Sequence, residues 1–183
     1  PDGLIITAEG YLAHIEKHQL KEPIISLLKK KKKKELTTLQ NAGKAIRALI
    51  EEKPLLPELK EEITQAYEAL KKSSVSSALS LAVRSSATAE DLPSASFAGQ
   101  QESYLNVRSL TELLEIIPKA FASLFTDRAI SYRIDHNFDH MAVALSLGVQ
   151  EMVRSDLASS GVIFTLDTES GHSGFVALTS AYG

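Results

Sequence analysis

The sequence predicts a mixed α/β (α+β) domain with a mixed or antiparallel sheet and flanking helices. Two amphipathic stretches of helical period occupy residues 39 to 70, and short apolar runs of strand length follow residue 78. Between residues 143 and 150, apolar side chains alternate with small or polar ones, as in a strand with one buried face. The chain therefore reads as a mainly helical portion, 1–78, followed by a strand-rich portion, 79–183.

The elements follow in order. Leu4, Ile5 and Ile6 form a short strand, and Thr7 with Glu9 in the first turn starts a helix that reaches about His18. Leu39, Ala42, Ile46, Leu49 and Ile50 recur at helical spacing until Pro54 stops them. A second helix carries Leu59, Ile63, Ala66, Tyr67 and Leu70 on one face, which makes a helical pair. Ser73, Ser74, Ser76 and Ser77 mark a loop. Strands are expected at 79–83 and 104–107. Ser109 and Glu112 then make a capping box before Leu113. Pro118 kinks that helix or starts another, running through Phe121, Leu124, Phe125, Ile130 and Ile134. Further strands are expected at 162–166 and 175–178, close enough to pair antiparallel.

Composition excludes several function classes. At 183 residues, with 44% hydrophobic and 23% charged, the chain can bury a core. A net charge of -3 offers no general field for polyanions, so nucleic acid is not the expected partner. No run of 18 apolar residues occurs, so no membrane span is expected. The absence of cysteine excludes a disulfide framework and agrees with a cytoplasmic location. Pro1 in place of an initiator Met, and Gly183 directly after an apolar run, read as cuts from a longer polypeptide.

Charge is unevenly placed. Residues 1–83 hold 14 Lys and Arg against 11 Asp and Glu, whereas residues 84–183 hold 6 against 12. The first excess comes from six consecutive lysines, Lys29 to Lys34, which read as a solvated segment between helices or as an anion-binding patch. His14 with His18 and His136 with His140 share helix faces at i, i+4. Neither pair has a third ligand at a fixed offset, so both read as ordinary histidines on solvated faces. Gly43-Lys44 lacks the remainder of a P-loop, with Thr38 where its first glycine belongs.

Residues 83 to 107 concentrate the chemistry. An apolar strand ends in Arg84, a loop of Ser, Thr, Ala and Gly follows, and a second strand opens at Tyr104. Small side chains let backbone N–H groups approach an anion. An arginine on a rigid strand can clamp phosphate oxygens, with Ser85, Ser86, Thr88 and Ser103 supplying hydroxyls. A polar hairpin loop with a lone surface arginine fits the same residues.

The stretch Arg84-Ser85-Ser86-Ala87-Thr88-Ala89-Glu90-Asp91-Leu92-Pro93, with Ser96-Phe97-Ala98-Gly99-Gln100-Gln101-Glu102, closely resembles the signature of the phosphoenolpyruvate synthase family. That family belongs to a wider group with pyruvate phosphate dikinase and rifampicin phosphotransferase. The similarity continues through PDGLIITAEGY at the start, LFTDRAISYR at 124–133, VQEMVRSDLASSGVIFTLDTESGH at 149–172 and the final TSAYG. Met152 to Asp156 and Thr165 to Gly171 are similar to the synthase branch in particular. Residues 35–72 match only in pattern, and the lysine run departs from the family.

The resemblance implies part of an ATP-grasp-like nucleotide-binding domain, spanning 1–183. In the family, ATP phosphorylates a histidine on a separate mobile domain, yielding AMP and phosphate overall. The phosphohistidine then converts pyruvate to phosphoenolpyruvate on a third domain. Carried over by position, Arg84 would contact the phosphates, Gly99 would offer its backbone in a loop lid, Ser103 would stand where the group often has Thr, and Gln150 would contact the nucleotide. The strand period agrees for Gln150, which shares a face with Ser146 and Gly148.

ATP and Mg2+ are the implied cofactors. The metal ligands, an ATP-contacting Lys and the phosphorylated His would lie outside these residues. No catalytic residue is therefore expected here, none of the five histidines takes the phosphoryl role, and the 183 residues alone would be inactive. A related phosphotransferase of the rifampicin or dikinase type, or a non-enzymatic module using the lysine run, are the other readings. A homo-oligomer is compatible with all of them.

Overall fold

The computed structural model describes residues 2–29, 36–74, 79–88, 91–92, 95–96 and 102–182. They divide into two compact units, Pro1–Met152 and Val153–Gly183. Gly99, Lys30 to Lys34, and the serines at 76 and 77 lie outside the described residues.

The first unit opens with β1 (Gly3–Ile6) and four helices: α1 (Ala8–Lys17), α2 (Lys21–Lys29), α3 (Leu36–Glu51) and α4 (Pro57–Ser73). Next come β2 (Leu81–Ala87), a small ribbon of β3 (Asp91–Leu92) and β4 (Ala95–Ser96), and β5 (Ser103–Val107). Helix α5 (Leu110–Ala122), a 3-10 turn (Ser123–Phe125), α6 (Asp127–Asp135) and β6 (Leu145–Glu151) complete it. The main sheet has the order β1-β6-β2-β5, with every pairing antiparallel. The helical portion is thus tied into the strand-rich one, because its first strand pairs with the last strand of the unit.

Alternation divides this sheet into two faces. Leu81, Val83, Val107, Leu145, Leu147 and Val149 are buried on the inner face. They form one core with Ile46 and Ile50 of α3, Ile63 and Tyr67 of α4, and Ile117 and Phe121 of α5. Each helix contributes its i, i+3, i+4 stripe, so burial of apolar area drives both secondary and tertiary structure. Pro57 opens α4 at a position where its missing N–H costs nothing.

The N-terminal signals act in modified form. Ser109 Oγ accepts from the Glu112 N–H at 3.1 Å, but the Glu112 carboxylate accepts from Arg108 N–H at 2.8 Å, one residue before the cap. Thr7 occupies the cap of α1 without its side chain capping the backbone. Its hydroxyl bonds the Glu9 carboxyl instead, holding that group below its usual range. Pro118 stays inside α5, and the helix ends only at Ala122. The expected continuous helix to Ile134 is therefore interrupted by the 3-10 turn, after which Thr126 Oγ1 caps α6 by accepting from Ala129 N–H. Arg47 braces this corner, donating to the Phe125 carbonyl at 2.7 Å and to Asp127 at 3.1 Å. A Cβ at Gly43 would stand 2.5 Å from Asp127 Oδ1, so this glycine serves close helix packing.

The second unit is a hairpin of β7 (Ser159–Phe164) and β8 (Ala177–Tyr182), paired antiparallel from Ser159↔Tyr182 to Phe164↔Ala177. Two strands alone are marginal, and among the described residues of this unit none is buried. Arg154 grips Asp156 through two hydrogen bonds of 2.7 and 2.6 Å. Asp167 accepts from the Glu169 and Ser170 N–H groups, shaping the turn before Gly171.

Candidate functional site

The outer face of the four-stranded sheet carries the candidate site. Arg84 on β2 stands directly opposite Ser103 on β5 and opposite Gly148 on β6. Gln150 pairs with Ala82 on one side and Gly3 on the other. Paired positions in an antiparallel sheet share a face, and diagonal neighbours such as Arg84 and Gln150 lie about 7–8 Å apart. Arg84, Ser103 and Gln150 are all exposed. A cavity of about 340 Å³ is lined by Gly3, Ile5, Arg84, Gly148 and Gln150.

Three of the four expected site residues are therefore brought onto one surface from three different strands. The fourth, Gly99, falls outside the described residues. A register shift between Leu81 and Val83 bends the β2–β5 pairing beside Arg84, and Asn106 takes a left-handed conformation with φ 62° there. Bulges of this kind re-aim strand side chains near sites.

The hydroxyls expected in a loop do not act as one set, and Ser85 and Ser86 are not in a loop, because β2 continues past Arg84 to Ala87 through its pairing with β6. Ser85 falls on the face opposite Arg84 by strand alternation, and its Oγ donates to the Glu102 carbonyl at 3.5 Å. Ser146 Oγ donates to the Ser86 carbonyl at 3.2 Å. Thr88 ties the motif to the start of β6: its N–H donates to the Ala144 carbonyl at 3.0 Å, and its Oγ1 accepts from Ala144 N–H at 3.1 Å. Thr88 thus anchors the strand from which the loop departs.

The histidine pairs differ from their expected surface setting. His14 is fully buried, edge-on to His18 with ring centroids 4.7 Å apart and 5.6 Å from Phe121. Burial first, and His18 second, push its imidazole down to about 4, so it is neutral at ordinary pH. His140 is half-buried, and its Nδ1 accepts from Arg133 Nε at 2.9 Å. Burial and the Arg133 charge hold it down at about 4. Among the described residues no three His, Asp or Glu side chains converge on a metal position. His14 reads as a surface group because its helix shows polar neighbours, and Phe121 of α5, which packs against it, is distant in sequence. His136 and His140 do not share a helix face, because α6 ends at Asp135 with His136 as its cap and His140 lies in the turn beyond.

Arg133 is a buried charged group that no local sequence pattern marks. It is 0% exposed, donates to the Leu124 carbonyl and to His140, and stacks its guanidinium 5.2 Å from the Phe125 ring centroid. Burial pushes it down to about 10, which still leaves it charged at neutral pH. Its only sequence signal was its place in the motif LFTDRAISYR.

The pyruvate phosphate dikinase AMP/ATP-binding domain family matches residues 1–183. Phosphoenolpyruvate synthase of Helicobacter pylori is 51% identical over 183 residues, covering 100% of this chain and 22% of that protein. The phosphoenolpyruvate synthases of Deinococcus radiodurans and Escherichia coli are each 50% identical over 183 residues, with 23% of their length covered. The chain thus spans less than a quarter of these relatives, and the match runs through every strand of the sheet that carries Arg84, Ser103 and Gln150. With its antiparallel sheet, its helical layer and this whole-length match, the chain belongs to the pyruvate phosphate dikinase AMP/ATP-binding domain family, an ATP-grasp-like nucleotide-binding fold.

Proposed function

We propose that this chain is the ATP-binding part of a phosphoenolpyruvate synthase, a phosphotransferase that turns ATP, pyruvate and water into AMP, phosphoenolpyruvate and phosphate. The observation that carries the reading is the row Gly148–Arg84–Ser103, with Gln150 diagonal to it, on an exposed face that lines a cavity. Arg84 neutralises phosphate charge with a planar, two-pronged donor held by a central strand. Ser103 donates its hydroxyl to a phosphate oxygen, Gln150 offers an amide to the nucleotide, and Gly99 lends its backbone N–H. Phosphoryl transfer depends mostly on positioning and charge stabilisation, which this constellation supplies from one side.

Mg2+ would supply charge neutralisation to the phosphates when bound. The described residues do not fit it, since no three carboxylates or imidazoles converge. Its ligands are assigned to the part of the relatives that lies beyond this chain, as is the histidine that receives the phosphoryl group. The 183 residues alone are accordingly inactive as a synthase, and the working partner is a phosphohistidine domain of the same protein, in the cytoplasm and compatible with a homo-oligomer. No described helix is long and apolar enough to cross a membrane.

The test is ATP-dependent labelling of the phosphohistidine in the full-length protein. Arg84→Ala is expected to abolish it, and labelling at the wild-type rate would remove Arg84 from the site.

A further inference from the structure

Across the outer face, one row runs Ile5, Gly148, Arg84, Ser103, one residue from each strand of the sheet. Gly148 sits in the middle of β6, where glycine weakens a strand and commonly marks a bulge or the close approach of a ligand or another backbone. Register is continuous through Gly148 towards both β1 and β2, so there is no bulge. Its backbone does not take the left-handed conformation, which among the described glycines belongs to Gly171. Among the described residues, a Cβ built on it would meet only the Arg84 carbonyl oxygen, at an ordinary 3.9 Å. Gly3, in the neighbouring strand, contrasts with it: a Cβ there would stand 2.5 Å from the Val149 carbonyl oxygen. Among the described residues, no packing contact calls for a missing side chain at position 148.

The space left above Gly148 belongs to the cavity of about 340 Å³. On one side stands Ile5, an apolar side chain 74% exposed, and on the other Arg84. An apolar wall, a bare backbone floor and a cationic wall in sequence match the order of a nucleotide's parts, from base and sugar to phosphates.

We infer that Gly148 is the floor on which the nucleotide lies, with its sugar or base against Ile5 and its phosphates on Arg84. This rests on the nucleotide-binding reading above and adds two positioning residues to it. A methyl group at position 148 would occupy the layer of atoms that a bound nucleotide places in contact with the backbone, and an isopropyl group would fill more of it.

The experiment is titration of the full-length protein with ATP and with tripolyphosphate, combined with thermal unfolding without ligand. Gly148→Ala and Gly148→Val are expected to unfold at or above the wild-type temperature. Their ATP affinity should fall by about 10-fold for Ala and about 100-fold for Val, the range that overpacking a close contact produces. Ile5→Ser should weaken ATP several-fold while leaving tripolyphosphate unchanged; equal weakening of both would remove Ile5 from the base or sugar. Wild-type ATP affinity in both Gly148 variants, with affinity lost in Arg84→Ala, would overturn the floor and leave the nucleotide site standing. Wild-type affinity in all three would overturn the site itself. A lowered unfolding temperature in both Gly148 variants without ligand would show that another protein segment covers Gly148, and would also overturn the inference.

Discussion

Arg84 stands on the open face of the sheet beside Gly148 and Ser103, whereas Arg133 lies in the helical core, sealed by Phe125, Leu124 and His140. The two side chains are chemically identical. One keeps its hydration and can exchange it for a ligand's oxygens; the other has already exchanged it for a carbonyl, an imidazole and an aromatic face. Neither has a carboxylate partner among the ion pairs of the described residues. The difference teaches that a lone arginine signals binding only where its surroundings leave room for an anion. In the core the same charge is a structural commitment, because an isolated buried ion is expensive unless its donors are satisfied.

The largest effect that sharpens this contrast is expected from Arg133→Ala. It leaves the Leu124 carbonyl and the His140 ring without their donor and opens a void beside Phe125. A loss of about 3 kcal/mol or more is expected in urea unfolding, combining a cavity with unpaired polar groups. ATP affinity of the protein that remains folded should not change. A stability loss below about 1 kcal/mol would mean that the core does not depend on this guanidinium.

Next in size is the pH dependence set by the two covered histidines. His14 and His140 each titrate near 4 in the folded protein. An unfolded histidine titrates near 6.5, so between these values the unfolded chain binds protons that the folded one refuses. Stability therefore falls as pH drops from about 6.5 to about 4, by up to about 1.4 kcal/mol per pH unit for each ring, and stops falling on this account below 4. His140 must also stay neutral at Nδ1 to accept from Arg133, so its protonation breaks one of the two hydrogen bonds of a buried arginine whose Nη1 has no partner among the described residues. Unfolding midpoints measured from pH 7 to 4 should show the slope, and His14→Leu should remove about half of it. An unchanged slope in that variant would mean that His14 is protonated without cost.

How much of this was legible in the sequence depends on whether the deciding contacts are local. The stripe of Ile46 and Ile50, the stripe of Ile63, Tyr67 and Leu70, and the alternation through Leu145, Leu147 and Val149 all depend on spacing along one element, and all appear where spacing puts them. Helix α2 was not anticipated, because Pro23 and the adjoining lysines hide the single buried contact of Ile24. The break at Ser123–Phe125 was hidden because apolar residues keep a helical rhythm across it; Thr126, a capping residue before Asp127, was the available signal. The burial of His14 depends on Phe121 of the distant α5, which no local pattern carries. The partners of Arg133 are near in sequence, but they meet it only because the chain breaks at the 3-10 turn before α6 and turns back after it at His140. On the outer face, alternation alone aligns Gln150 with Gly148, but the row from Ile5 to Ser103 needs the strand order β1-β6-β2-β5.

A smaller expected effect tests a signal that was local throughout. Ser109→Ala removes the acceptor for the Glu112 N–H at the start of α5, a helix whose Leu113, Ile117 and Phe121 are fully buried. Loss of such a cap costs about 1 kcal/mol. The Glu112 carboxylate still accepts from Arg108 N–H in this variant, so part of the capping survives. Urea unfolding should place Ser109→Ala between wild type and Arg133→Ala, and a cost as large as that of Arg133→Ala would contradict the ranking.

The smallest effect on stability is expected from Arg84→Ala. Arg84 is exposed, and the inner face beneath it is held by Val83, Leu147 and Val149. Truncating an exposed strand residue of this kind changes folding by no more than about 0.5 kcal/mol. Among the described residues Arg84 forms no ion pair, so its removal leaves no described carboxylate without a partner. The same substitution is the one expected to abolish phosphohistidine labelling. A variant that keeps the unfolding midpoint and loses the nucleotide separates the two arginines completely; a midpoint lowered as far as in Arg133→Ala would show that Arg84 also belongs to the packing of the fold.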